Sequence, residues 1–316
     1  MNILSLFDGM SCCRIALERA GIHVENYYAS EIDKHAIKVA QANWPTNIQL
    51  GDVTKWREWD IDWASIDLVT GGFPCQAWSM AGKQLGDKDE RGMLFWTMLD
   101  VMKKVREHNP KAHFLIENVK MKKEFEQYIT YHTEQALCEV YKILINSALV
   151  SAQNRQRYYW TSFPCTQPDD KRVVLADILE SGVFDHKKSW CIDANYFKGE
   201  NLKSYFEKNR RQLVFESRSI KSIKRAFTNV RFSDEKAVTL TTTPRQPASC
   251  GATNIIYKSD IGIMLRNLTP LECERLQTVL DNYTAHVSNT QRYKMLGNGW
   301  TVDVIVHLLN CMKHVL

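Results

Sequence analysis

A doubly wound α/β fold, with a mostly parallel sheet and a second, smaller domain, is what the sequence predicts, and three observations carry that prediction. Apolar runs at 3–7, 25–30, 48–50, 66–69, 113–116 and 141–150 alternate with stretches of helical spacing, as successive βα units do. An acid closes four of these runs, Asp8, Glu31, Asp52 and Glu117, on the edge where an open α/β sheet binds its ligands. The alternation then stops near 181–186, where a basic segment with interspersed aromatics begins.

The first unit is a strand, the turn Asp8-Gly9-Met10-Ser11, and a helix carried by Cys12, Ile15, Ala16, Arg19 and Ala20 that Gly21 stops. In the second, the strand at 25–30 ends in Glu31-Ile32-Asp33 and feeds a helix at 34–43 closed by Pro45. Glu31 falls 22 residues after Gly9, close to the roughly 20-residue offset at which dinucleotide-binding units place an acid on a ribose. The glycine signature is incomplete, because Ser11-Cys12-Cys13 follows. An adenosine-type cofactor and an ordinary α/β turn therefore both stay open.

The third strand ends in Gly51-Asp52-Val53. The fourth is broken by Thr70-Gly71-Gly72-Phe73-Pro74, which fixes Cys75 at a strand's carboxyl end, where a thiol can attack a ligand as easily as pack. Residues 76–91 are polar and glycine-bearing, as expected of a loop closing over a site, and 92–106 resume helical spacing with Leu94, Met98, Met102 and Val105 as a core stripe. The next run ends in Glu117-Asn118-Val119. Any one such acid can be a helix cap; four in register favour a ligand site. In Gln153-Asn154-Arg155-Gln156-Arg157, an extended backbone points Arg155 and Arg157 the same way, suited to a phosphate, a base carbonyl or plain solvent.

With 316 residues, 44% of them apolar, the chain can bury a large core and a smaller one. The expected division is a main domain of 1–184 plus 285–316 and a small domain of 185–284. A helix begins at Pro270 and runs to about Gln277. The turn at Leu296-Gly297-Asn298-Gly299-Trp300 leads into an apolar helix that returns to the main domain. Formal charge is only +5, yet 185–265 holds 15 Lys/Arg against 8 Asp/Glu, so the basic surplus is local. With Tyr205, Phe206, Phe215 and Phe227 among its arginines and lysines, this segment suits a nucleic-acid surface or a solvated basic face. Nine cysteines show no Cys-x-x-Cys pair, which points to reduced thiols rather than a disulfide framework or a metal site. No stretch approaches the roughly 20 apolar residues of a membrane span, and no basic leader precedes the first strand. A cytoplasmic protein is expected.

In order and in spacing these blocks resemble the cytosine-5 DNA methyltransferases of bacterial or phage type. The blocks are Phe7-Asp8-Gly9, Glu31-Ile32, Asp52-Val53, Pro74-Cys75-Gln76, Glu117-Asn118-Val119, Gln153 to Arg157 as above, Arg266-Asn267-Leu268-Thr269-Pro270 with Glu272, Arg275 and Gln277, and Gly297-Asn298. The resemblance implies a Rossmann-like methyltransferase domain and methyl transfer from S-adenosylmethionine to C5 of a cytosine in duplex DNA. Cys75 matches the nucleophile that adds to C6, Glu117 the acid at N3, and Arg157 the residue on the cytosine carbonyl, with Arg155 supporting that site. For the cofactor it implies Phe7, Asp8 and Gly9 beside the methionine part, Glu31 at the ribose, Ile32 against the adenine, Asp52 at its amino group, and Val53, Pro74 and Asn298 nearby. It further implies base flipping and recognition of DNA by 185–265; a monomer is expected, acting either beside a cognate restriction endonuclease or alone. Transfer RNA is the alternative substrate. Two places depart from the family pattern: Ser11-Cys12-Cys13, and Gly299-Trp300 where many members have Ser-Val.

Overall fold

The computed structural model describes residues 1–74, 90–182, 186–198, 211–216, 256–258 and 263–315. Strands and helices alternate as β1 (Asn2–Leu6), α1 (Cys12–Arg19), β2 (Asn26–Ser30), α2 (Lys34–Asn43), β3 (Ile48–Gln49), β4 (Ile66–Gly71), α3 (Glu90–His108), β5 (His113–Val119), α4 (Lys123–Leu137), β6 (Tyr141–Asn146) and β7 (Gln156–Thr161). They build one seven-stranded sheet in the order β3-β2-β1-β4-β5-β7-β6. All neighbours from β3 to β5 pair in parallel, while β7 runs antiparallel between β5 and β6. The order reverses between β1 and β4, so their carboxyl ends part and leave a crevice.

Both faces of the sheet are covered, which is why its strands read as near-continuous apolar runs. On β1, Ile3 joins the core under α1 and the C-terminal helix, α7 (Val302–Lys313), whereas Leu4 and Leu6 face the core under α3 and α4. Met98, Met102 and Val105 of the expected α3 stripe lie in that second core. The strand expected at 141–150 stops at Asn146, because its side chain accepts from Ala148 N (3.1 Å) and Arg155 N (3.0 Å) and turns the chain into a short 3-10 helix.

A three-stranded antiparallel sheet, β8 (Leu213–Glu216), β10 (Ile263–Asn267) and β9 (Ile256–Lys258), lies at the start and end of the basic segment. It is tied to the main core through Tyr196, whose hydroxyl donates to Gln212 O and accepts from Leu268 N. After it come α5 (Pro270–Leu276) and α6 (Asn289–Asn298). Leu268, Cys273, Leu276, Val279 and Tyr283 share the core beneath α1 and α7. The stretch 268–283, placed by the sequence in a small domain, thus packs with the main one. Most of the basic run, 199–210 and 217–255, lies outside the described residues.

One cysteine expectation is corrected. Cys165, just beyond β7, and Cys311, in the last turn of α7, form a disulfide with Cα atoms 5.5 Å apart. A separation of 146 residues leaves no local spacing from which to read it. His307 lies beside the pair, but with both sulfurs bonded to each other the trio offers no thiolate to a metal. No helix among the described residues is long and apolar enough to cross a membrane.

Candidate active site

The crevice between β1 and β4 opens into a cavity of about 320 Å³. Its walls include every residue the sequence assigned to a ligand except Cys75: Phe7, Asp8, Gly9, Glu31, Ile32, Asp52, Val53, Pro74, Glu117, Arg155, Arg157 and Asn298. Cys75 and residues 76–89 of the expected closing loop lie outside the described residues, although Pro74 brings the chain to the cavity wall.

On one wall, carboxylates brace backbone turns. The chain leaves β1 through Phe7, Gly9 and Ser11, all at positive φ, a bend that only Gly9 makes without strain. Glu31 holds that bend: its Oε2 accepts Gly9 N at 2.8 Å, and its Oε1 accepts Ile32 N and Asp33 N, both at 2.8 Å. Asp52 caps the 3-10 helix that starts at Val53, with Oδ1 accepting from Thr54 N and Thr54 Oγ1. Asp8 turns inward to accept from Tyr27 OH (2.6 Å) and Ser11 Oγ (2.5 Å), and burial without a cation raises its carboxyl to about 6. Ile32, at the mouth, is 74% exposed.

On the other wall, charges brace one another. Arg157 pairs with Val119 across β5 and β7, and Glu117 with Tyr159, so Glu117 and Arg157 are diagonal neighbours on one face. Arg157 Nε lies 3.0 Å from Glu117 Oε1. The other carboxylate oxygen, Oε2, accepts from Trp300 Nε1 at 3.1 Å. Burial pushes the Glu117 carboxyl up, and Arg157, Arg155 and the indole only partly offset it.

Arg155 and Arg157 do not act as a parallel pair, because β7 begins only at Gln156. Arg155 is buried, and its guanidinium donates to Ile192 O (3.1 Å), Gly297 O (3.1 Å) and Gly299 O (2.8 Å), bracing the turn that carries Asn298 and Trp300. Gln277 supports the same turn from α5, donating to Leu296 O at 2.6 Å. Gly297 is needed for close approach: a Cβ there would sit 2.2 Å from the Asp193 carbonyl carbon.

Several wall residues carry no role assigned from sequence. Asn118 Nδ2 donates to Phe73 O at 3.0 Å and fixes the turn that leads to Cys75. Cys12 and Cys13 also line the cavity, but burial pushes both thiols up to about 12, so neither is a nucleophile at neutral pH. Trp300, like Ser11-Cys12-Cys13, is a departure from the family pattern expected to touch the cofactor pocket, and it lines the cavity; nothing in sequence spacing links it to Glu117.

A doubly wound sheet with backbone-bracing acids and an arginine-held glutamate lining its strand-end crevice is the build of an α/β enzyme that binds ligand at the switch point of its sheet. The model of the C-5 cytosine-specific DNA methylases matches residues 1–314, and the chain belongs to that family of DNA cytosine-5 methyltransferases. The type II methyltransferase M1.ScrFI of Lactococcus lactis subsp. cremoris is 31% identical over 340 residues, covering 100% of this chain and 78% of the relative. M.NlaX of Neisseria lactamica is 30% identical over 335 residues, covering 100% and 97%. Among solved structures, DNMT2 of Spodoptera frugiperda aligns over 99% of each chain with a TM-score of 0.66 at 18% identity. A putative DNA modification methyltransferase from an E. coli prophage aligns over 99% of each with a TM-score of 0.58 at 20% identity. At these identities the structures speak for the fold alone.

Proposed function

We propose that the chain methylates C5 of a cytosine within a specific sequence of duplex DNA, using S-adenosylmethionine as donor and Cys75 as nucleophile. The observation that carries this reading is the arrangement of the cavity, with an acidic, turn-bracing wall opposite the Glu117–Arg157 pair and Pro74 beside both. The acidic wall fits the cofactor. Exposed Ile32 offers an apolar face to adenine, Asp52 has Oδ2 beyond its capping atom for the amino group, Glu31 stands at the ribose, and Phe7, Asp8, Gly9, Val53 and Asn298 enclose the rest. Bound there, the cofactor supplies an electrophilic methyl group.

The chain's residues do the remainder. The Cys75 thiolate adds to C6 and turns C5 into an enamine-like carbon, Glu117 stabilises the charge reaching N3, and Arg157, held by Glu117, reaches the cytosine carbonyl; once C5 carries the methyl group, a base takes the C5 proton and the C6–S bond breaks, freeing Cys75. Arg155 acts through the turn it braces. Because C5 lies within the duplex, the base must be flipped out at a cost of about a few kcal/mol, and the sequence after Cys75 is the part expected to fill the space it leaves. The basic segment 185–265 serves target recognition, its basic side chains on phosphates and a few others on base edges. The protein acts in the cytoplasm, as a monomer, alongside a restriction endonuclease of the same specificity.

Expression in a host without cytosine methylation, followed by genome-wide mapping of 5-methylcytosine, tests this. The expected result is methylation confined to one short sequence and abolished by Cys75→Ala. Methylation of RNA but not of duplex DNA, or a Cys75→Ala protein as active as its parent, overturns the reading.

A further inference from the structure

We infer that Trp300 is a positioning residue for Glu117: its indole N–H holds Oε2 of the carboxylate whose Oε1 faces Arg157. This deepens the proposed function and rests on Glu117 acting there. Three independent features lead to it. First, the two oxygens of Glu117 are divided between two donors, Oε1 facing Arg157 Nε (3.0 Å) and Oε2 facing Trp300 Nε1 (3.1 Å), which fixes the rotation of the carboxylate as one donor alone would not.

Second, the indole is itself held. Arg155 and Gln277 grip the carbonyls of Gly297, Gly299 and Leu296 on one side of Trp300. On the other side, Thr301 is buried and bonded to Ser147 Oγ (2.8 Å) and Gln277 Oε1 (2.9 Å). Third, the space opposite is kept clear for it. A Cβ on Gly72 would sit 2.9 Å from Trp300 Nε1 and 3.3 Å from Glu117 Oε2, so the glycine two residues before Pro74 lets indole, carboxylate and the turn leading to Cys75 meet. The groups acting electrostatically on Glu117 are Arg155 and Arg157; Tyr159 and Cys12 are the titratable neighbours it acts on in turn.

The test compares Trp300→Phe, which keeps the ring and removes the donor, with the parent and with Glu117→Gln and the double variant. Trp300→Phe is expected to lower kcat for DNA methylation about tenfold, the worth of one hydrogen bond to a charged group, with KM for S-adenosylmethionine unchanged. The limb of the pH profile that reports Glu117 should move to higher pH, since the lost bond favours the ionised form. On the Glu117→Gln background the same change should cost nothing further. A Trp300→Phe enzyme with the parent's kcat and pH profile overturns the inference, as does a raised cofactor KM with an unshifted profile. If Trp300→Phe does not fold, Trp300→His, which retains a ring N–H, against Trp300→Val carries the same comparison, and equal kcat in those two overturns it. Failure of the underlying reading shows differently: Glu117→Gln would then methylate as well as the parent.

Discussion

Two arginine–glutamate pairs in this protein share a chemistry and differ in use. Arg266 and Glu272 meet bidentately, Nη1 to Oε2 at 2.7 Å and Nη2 to Oε1 at 2.8 Å, with side chains 7% and 0% exposed. Glu180 N (2.9 Å) and Thr269 N (2.7 Å) also donate to that carboxylate, so it is saturated from every side. The Glu117–Arg157 pair is 10% and 13% exposed and stands on the cavity wall, with Arg157 Nε 3.0 Å from Glu117 Oε1. A saturated buried pair has nothing left to offer a ligand, and its energy goes into fixing α5 against the main core. A pair set on the wall of an opening presents its charged edge to whatever enters.

The sharpest way to break this contrast is to remove the glutamate from each pair. Glu272→Ala leaves Arg266 buried and uncompensated, and the expected loss is about 3–5 kcal/mol, a large share of a domain's stability, read as a fall in the urea midpoint. If the midpoint moves by less than a third of that, the Arg266 pair is not the brace its geometry indicates. Glu117→Gln should do the reverse: kcat drops about a hundred- to a thousandfold, while stability changes by less than about 2 kcal/mol. Equal damage to folding and to turnover in both variants would erase the distinction.

The sequence exposed one side of this contrast better than the other. Asp8, Glu31 and Asp52 follow short apolar runs, and a strand end is a local event, so their gathering on one edge could be read from period and turn residues alone. Glu117 was legible in the same way, although it lies inside β5 rather than past its end. What holds these groups was not. Trp300 reaches Glu117 across 183 residues, Arg155 reaches Gly299 across 144, and Cys165 joins Cys311 across 146. Such contacts are made by the order in which strands lie in the sheet and by helices returning from the far end of the chain, and periodicity carries no record of either. The antiparallel β7, which turns Arg157 toward Glu117, belongs with them.

Asp8 is a third kind of carboxylate, buried with no arginine, and it sharpens the contrast by pH. Its folded value is raised from the ordinary 3.8 to about 6, first by burial, with the hydroxyls of Ser11 and Tyr27 pulling the other way. A carboxyl raised in the folded state binds more protons there than when unfolded. It therefore adds stability below the unfolded value, and that stability is lost as pH rises from about 4 through about 6. Two units correspond to at most ~3 kcal/mol. Asp8→Asn keeps an oxygen for one hydroxyl and cannot ionise; the other hydroxyl can rotate to accept from the amide. The variant should match the parent near pH 4 and exceed its stability by about 2 kcal/mol at pH 7–8, in urea unfolding followed at both ends of the window. A difference curve that stays flat across it would show that Asp8 ionises freely where it lies, and that the pocket is wetter on the cofactor side than its hydrogen bonds indicate.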